Sequence, residues 1–178
     1  MPRGVRVRPT ADRVREALFD ILGATVRGAR VLDAYAGSGA LGFEALSRGA
    51  RQAVFLESDR RAWLALRANA ATLRMGERCT ILRGRSVELL RGAAVRGPFD
   101  LVLADPPYAS DEAVAFLPLA AGLLAADGGR IVIERGSGSD SLVAASSGLV
   151  HYRTASYGRG RLDFFRPSAS GPAPPGGG

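Results

Sequence analysis

The sequence predicts an α/β fold: a mostly parallel sheet of seven strands, covered by helices on both faces and ending in an antiparallel C-terminal hairpin. Three observations predict it. Short β-branched apolar runs alternate with helical patterns, which marks right-handed βαβ units. A Gly-rich loop separates the first such run from the helix after it. The last two runs are joined by Tyr157-Gly158-Arg159-Gly160, which reads as a hairpin loop.

In chain order, Thr10 reads as the N-cap of a first helix, with Asp12 in its first turn and an apolar stripe of Val14, Ala17, Leu18, Ile21 and Leu22. Strand one is expected over Arg30 to Asp33, and a helix over Ala40 to Arg48 is closed by Gly49. Strand two spans Ala53 to Glu57, and the Ala/Leu-rich stretch Arg60 to Leu73 is helical. Strand three, Thr80 to Leu82, leads into a short helix from Ser86 to Arg91. Strand four, Leu101 to Ala104, follows the turn Gly97-Pro98. A helix from Asp111 to Ala125 stops at Asp127-Gly128-Gly129, and strand five is Arg130 to Glu134. Val150 to Ala155 and Leu162 to Phe165 form the hairpin.

At 178 residues the chain is long enough for one domain with a real core and short for two. Residues 1–9 read as a basic lead-in and 10–167 as the folded domain. Residues 168–178 contain only Ser, Ala, Gly and Pro and are expected to be a disordered tail. The net charge of +7 is carried by 24 arginines with no lysine, which favours a polyanionic partner such as nucleic acid. Cys79 is the one cysteine, so an intrachain disulfide and thiolate metal clusters are excluded, and no metal is expected. It reads as a small buried residue on a strand. No apolar run approaches the roughly 20 residues of a membrane span, and the basic N-terminus lacks the apolar core of a signal peptide. A cytoplasmic protein without a membrane partner is expected, with a monomer as its working state.

In parallel sheets ligands bind beyond the carboxyl ends of the strands. Asp33, Glu57, Arg85-Ser86 and Asp105 all fall there. The first loop, Asp33 to Gly42, spells G-x-G-x-x-G, with Glu57 twenty residues after Gly37. That formally matches a dinucleotide site, which leaves an NAD-dependent oxidoreductase open. The strand, however, ends in the Asp33 carboxylate, four positions before Gly37. A negative charge there opposes a pyrophosphate and suits a ligand with an ammonium and a sulfonium, as S-adenosylmethionine has. Glu57 is placed to accept ribose hydroxyls, and Arg85-Ser86 sits where an adenine amino group would arrive. Tyr35, Ala36, Gly37, Ser38 and Gly39, with Ser58 beside Glu57, complete the candidate cofactor contacts.

The most specific element is Asp105-Pro106-Pro107-Tyr108. Two prolines fix the backbone and remove two N–H donors, leaving carbonyl oxygens and a carboxylate. Such an acceptor cluster suits the exocyclic amino group of a planar base, whose lone pair is delocalised until its N–H groups are held. Asp105 would accept the proton, and Tyr108 would offer a stacking face. An adenine-N6 DNA methyltransferase or a glutamine-N5 protein methyltransferase needs the same cluster, and a non-catalytic RNA-binding module would keep the fold without turnover. His151 has no acidic partner nearby in sequence and reads as a surface or packing residue. Trp63 reads as core.

At these residues the chain resembles the RsmD-type methyltransferases, which modify N2 of a guanine in bacterial 16S rRNA. The matching blocks are Arg8-Pro9-Thr10 with Asp12 to Glu16 and Leu18-Phe19; Asp33 to Gly42 continuing through Glu44 to Ala50; Glu57-Ser58-Asp59; Asp100 to Tyr108; and Tyr157-Gly158 with Leu162. The Arg-Pro-Thr block is the discriminating one. The resemblance implies a Rossmann-like class I S-adenosylmethionine-dependent methyltransferase fold, with 16S rRNA or the small ribosomal subunit as partner. It places Asp33, Gly37, Gly39 and Glu57 on the cofactor, Asp105 to Tyr108 on the guanine, and Arg8, Thr10 and Arg13 beside the pocket on RNA phosphates. Many related enzymes carry an acid where Arg85-Ser86 stands. RsmD-type members also carry a basic Gly-rich β-hairpin before the Arg-Pro-Thr block, whereas seven residues precede Arg8 here, which implies either a misassigned or trimmed start or a smaller grip on RNA.

Overall fold

The computed structural model describes residues 9–107, 112–136, 148–158 and 160–168. Seven strands form one sheet: β1 (Arg30–Ala34), β2 (Gln52–Glu57), β3 (Cys79–Arg83), β4 (Leu101–Ala104), β5 (Arg130–Gly136), β6 (Leu149–Tyr157) and β7 (Gly160–Pro167). Their order is β3-β2-β1-β4-β5-β7-β6. The first five are parallel, and β7 runs antiparallel between β5 and β6. Reversal of strand order beside β1 opens a crevice at the carboxyl ends of β1 and β4. The candidate site lies there.

Apart from the edge strand β3, the parallel strands bury both faces, so they read as continuous apolar runs. Val31, Phe55, Leu101, Leu103 and Val132 pack against Leu18, Phe19 and Leu22 of α1 (Pro9–Leu22), Leu46 of α2 (Ala40–Ser47) and Leu66 of α3 (Arg60–Thr72). Leu32, Leu56, Val102, Ile131 and Ile133 pack on the opposite face against Val87 and Leu90 of α4 (Ser86–Arg91) and Phe116 and Leu117 of α5 (Glu112–Ala121). Among the described residues, no helix is long and apolar enough to cross a membrane.

Strand and helix bounds follow the sequence closely, with three departures. The first helix begins at Pro9, so Thr10 lies inside it and is not its N-cap. Proline suits the first helical turn, where its missing N–H has no partner to lose. The fifth helix ends at Ala121, four residues early. Pro118 withholds one helical donor, Gly122 follows, and Leu123 to Ala125 pair with Phe99 instead: the Phe99 amide donates to the Leu123 carbonyl at 2.7 Å and the Ala125 amide to the Phe99 carbonyl at 2.8 Å. Asp111 is outside the described residues. Thirdly, Trp63 is half-buried at the sheet's rim and is not a core residue. Cys79 is a partly buried free thiol on β3.

Candidate functional site

The loop after β1 is shaped by backbone conformations that few residues tolerate. Tyr35, Gly37 and Gly39 all have positive φ, at 80°, 55° and 88°. Tyr35 is the costly one, because a Cβ strains the left-handed region. The turn is held by amides of Tyr35 and Ala36, which donate to the Leu56 carbonyl at 3.2 and 2.9 Å, and by Gly39, which donates to Ala36 at 2.7 Å. Gly39 then caps α2. A Cβ on Gly39 would stand 2.4 Å from Leu66 Cδ1, and one on Gly42 would stand 2.2 Å from Phe55 Cε1. These glycines bring loop and helix down onto β1 and β2.

Two strand-end carboxylates clamp that loop. Asp33 is 2% exposed, and its Oδ2 accepts from the Gly42 amide at 2.8 Å. Burial pushes its pKa up to about 7, with the Asp105 and Glu57 charges adding and the Gly42 hydrogen bond opposing. Glu57 accepts from the Gly37 amide at 2.7 Å through one oxygen and from the Asp59 amide at 2.6 Å through the other. Asp59 is the N-cap of α3, accepting from Ala62 at 2.8 Å. The acids after β2 therefore divide: Asp59 starts the helix, and Glu57 faces the loop.

Two cavities adjoin at this end of the sheet. One, of about 250 Å³, is lined by Tyr35, Leu56, Glu57, Ser58, Arg85, Ser86, Asp105, Pro107 and Glu112. The other, of about 280 Å³, is lined by Val14, Arg15, Leu18, Asp33, Tyr35, Ala36, Gly37, Ser38, Ala40, Leu41, Asp105 and Glu134. Tyr35 and Asp105 line both. Three carboxylates, Asp33, Asp105 and Glu134, thus face the second cavity. Burial, then the Glu134 charge, raises the Asp105 pKa to about 6. The Tyr35 hydroxyl is buried beside Ser86, and its ring meets Phe116 edge-on at 5.5 Å. Arg85 ion-pairs with Glu88 at 3.7 Å and with Glu112 at 3.8 Å, while Ser86 is buried beside it.

The structure brings together Asp33, Tyr35, Ala36, Gly37, Ser38, Glu57, Ser58, Arg85, Ser86, Asp105 and Pro107 on these cavities. Gly39 lines neither and works through the backbone. Pro106 is buried beneath the rim. Arg13 is exposed on α1 and lines neither cavity, whereas its neighbour Arg15 does, paired with Asp12 at 2.7 Å. Arg8 and Tyr108 lie outside the described residues, as does the tail beyond Ser168, and Thr10 is placed only as part of α1.

Glu134 and Glu112 were not anticipated. Glu134 lies near the carboxyl end of β5, and the strand-end rule that finds Asp33, Glu57 and Asp105 finds it as well. Glu112 opens α5 and carries no comparable signal. His151 does have an acidic partner: its Nε2 lies 3.1 Å from Asp163, twelve residues on and across the hairpin. The pair belongs to the β6–β7 hairpin, three strands or more from β1 in the sheet order.

The family model described as conserved hypothetical protein 95 matches residues 1–166. The ribosomal RNA small subunit methyltransferase D of Haemophilus influenzae is 41% identical over 103 residues, covering 57% of this chain and 53% of its own length. The protein of the same name from Escherichia coli is 42% identical over 109 residues, covering 61% and 53%. The chain thus spans about half the length of these curated relatives. The solved structure of the Escherichia coli protein yhhF superposes with a TM-score of 0.78 at 32% identity, covering 92% of this chain and 89% of that one. With the family model matched across nearly the whole chain and the fold shared, the chain belongs to the RsmD family.

Proposed function

We propose that this chain transfers a methyl group from S-adenosylmethionine to the exocyclic N2 of a guanine in 16S ribosomal RNA, acting in the cytoplasm through the domain at 10–167. The observation that carries the reading is the shared wall of the two cavities, where Asp105 stands between the cavity that Pro107 lines and a space faced by three carboxylates, its own among them. The names of the Haemophilus and Escherichia relatives support the ribosomal RNA substrate.

The residues fit the donor. Asp33, Asp105 and Glu134 suit an ammonium and a sulfonium, Glu57 suits ribose hydroxyls, and the Tyr35 hydroxyl supplies a buried polar atom at the neighbouring cavity. When bound, S-adenosylmethionine supplies an electrophilic methyl group. Everything else falls to this chain. Asp105 and the backbone carbonyls beside it accept the two N–H bonds of the guanine amino group, and Pro106 and Pro107 offer no competing donor. Held so, the nitrogen pyramidalises and its lone pair localises. Its proton passes to Asp105 and on to water. A carboxyl titrating near pH 6 is ionised at neutral pH yet remains basic enough for that role. Tyr108 supplies the stacking face for the flipped base.

Incubation with methyl-labelled S-adenosylmethionine and small-subunit RNA should label N2-methylguanine in a nucleoside digest. Asp105→Ala should lower that labelling by about 100-fold or more. Label appearing in DNA adenine or in protein glutamine instead would overturn the substrate assignment.

A further inference from the structure

Trp63 is the chain's one tryptophan. It stands in the first turn of α3, half-buried, between two exposed arginines. The guanidinium carbon of Arg67 lies 4.8 Å from the ring centroid, and that of Arg83 lies 6.0 Å from it. Neither arginine has a carboxylate partner among the described residues, and the exposed Arg60 and Arg61 at the start of the same helix have none either. The indole Nε1–H is buried and makes no hydrogen bond among the described residues.

The stack is continuous with the candidate site. Arg83 is the register partner of Glu57, the Gly84 amide donates to the Glu57 carbonyl at 3.0 Å, and Arg85 lines the same cavity as Glu57. β3 is also one of the two edge strands of the sheet. Unpaired guanidinium charges around an aromatic plane match the two things an unpaired RNA strand presents, phosphates and base faces.

We propose that Arg67, Trp63 and Arg83 form a second RNA contact, which holds an unpaired nucleotide of the strand flanking the modified guanine. This rests on the ribosomal RNA reading above. The guanidiniums take phosphate oxygens, and the base stacks on the arginine–indole ladder.

Because Trp63 is unique, its fluorescence reports on this contact directly. Titrating the full chain, saturated with S-adenosylhomocysteine, with an unstructured RNA oligonucleotide should quench it. The double variant Arg67→Glu with Arg83→Glu should bind that RNA about tenfold or more weakly at low salt, and its log-log salt slope should flatten by about 1 to 1.5, while its melting temperature still rises with S-adenosylhomocysteine. Unchanged fluorescence on RNA binding would overturn the inference, as would a folded double variant with the affinity and salt slope of the parent. Should the charge reversal unfold the chain, the fluorescence titration of the parent still decides. The two proposals fail separately. RNA that is methylated but bound equally by the double variant sinks the rim alone, whereas label found only in DNA or protein sinks the substrate assignment.

Discussion

Asp33 and Asp105 both titrate well above an ordinary carboxylate, for the same reason and with different consequences. For Asp33, burial holds the folded-state pKa near 7 against 3.8 for the free group. The folded chain therefore binds this proton more tightly than the unfolded chain does. The stability it contributes is fully present below about pH 3.8 and is lost as pH rises through 7. Asp33→Asn should flatten that dependence, seen as a smaller fall in melting temperature between pH 5 and 8; an unaltered profile would refute the assignment. A cationic ligand favours the ionised form, so S-adenosylmethionine affinity should rise over the same window. Asp105, raised to about 6, gives the rate its own acid limb. Methylation measured as kcat/KM for RNA at saturating S-adenosylmethionine should climb as pH passes upward through 6 and then level off, and Asp105→Asn should remove the activity rather than shift the limb.

Among the elements, the loop from β1 to α2 concentrates the constraint. Gly42→Ala would drive a methyl group into Phe55, whose ring is fully buried and has nowhere to move. A loss of about 1–3 kcal/mol is expected, which for a chain of this size is a melting drop of roughly 2–4 °C per kcal/mol in calorimetry. Gly37→Ala meets open space, and only its positive φ is penalised, at about 1–2 kcal/mol. Elements were legible in the sequence where local chemistry ends them: Asp59 caps α3, Gly49 stops α2, and α4 and β4 match to the residue. Where a distant strand competes, local pattern misleads. The end of α5 was lost to pairing with Phe99, and Trp63 looked like core because nothing local marks a helix face that turns toward arginines instead of the sheet. Among site residues, the strand-end acids were readable, but Glu112 and the His151–Asp163 pair depend on separations that no motif encodes.

Across the whole molecule, the antiparallel β6–β7 hairpin is joined to the parallel sheet by its ladder with β5 and, in addition, by one buried carboxylate. Asp163 accepts from Arg135 of β5, from Thr154 at 2.7 Å and from Arg161 at 3.1 Å, with His151 at 3.1 Å. Burial works to raise its pKa, but these partners outweigh burial and leave it below the ordinary value. The sign is opposite to that of Asp33: its stability contribution is present above about pH 3.8 and fades as the solution is acidified below it. Asp163→Ala would leave the nearly buried Arg135 charge without this carboxylate, at a cost of about 3–5 kcal/mol in denaturant melts. Because β5 also carries Glu134 into the cleft, the variant should weaken S-adenosylmethionine binding as well; retained stability and binding would show the hairpin to be held by its ladder alone.

The three carboxyl groups facing one cavity have a consequence for turnover on the proposed reaction. Before transfer the ligand carries a sulfonium and an ammonium; afterwards the sulfur is neutral. Once the proton taken up by Asp105 has passed to water the cleft carries its original charge, yet its attraction for the occupant is lower by the one charge lost with the methyl group. Asp33, Asp105 and Glu134 would thus discriminate spent from fresh donor by counting charge, and discharge of the by-product would need no moving part.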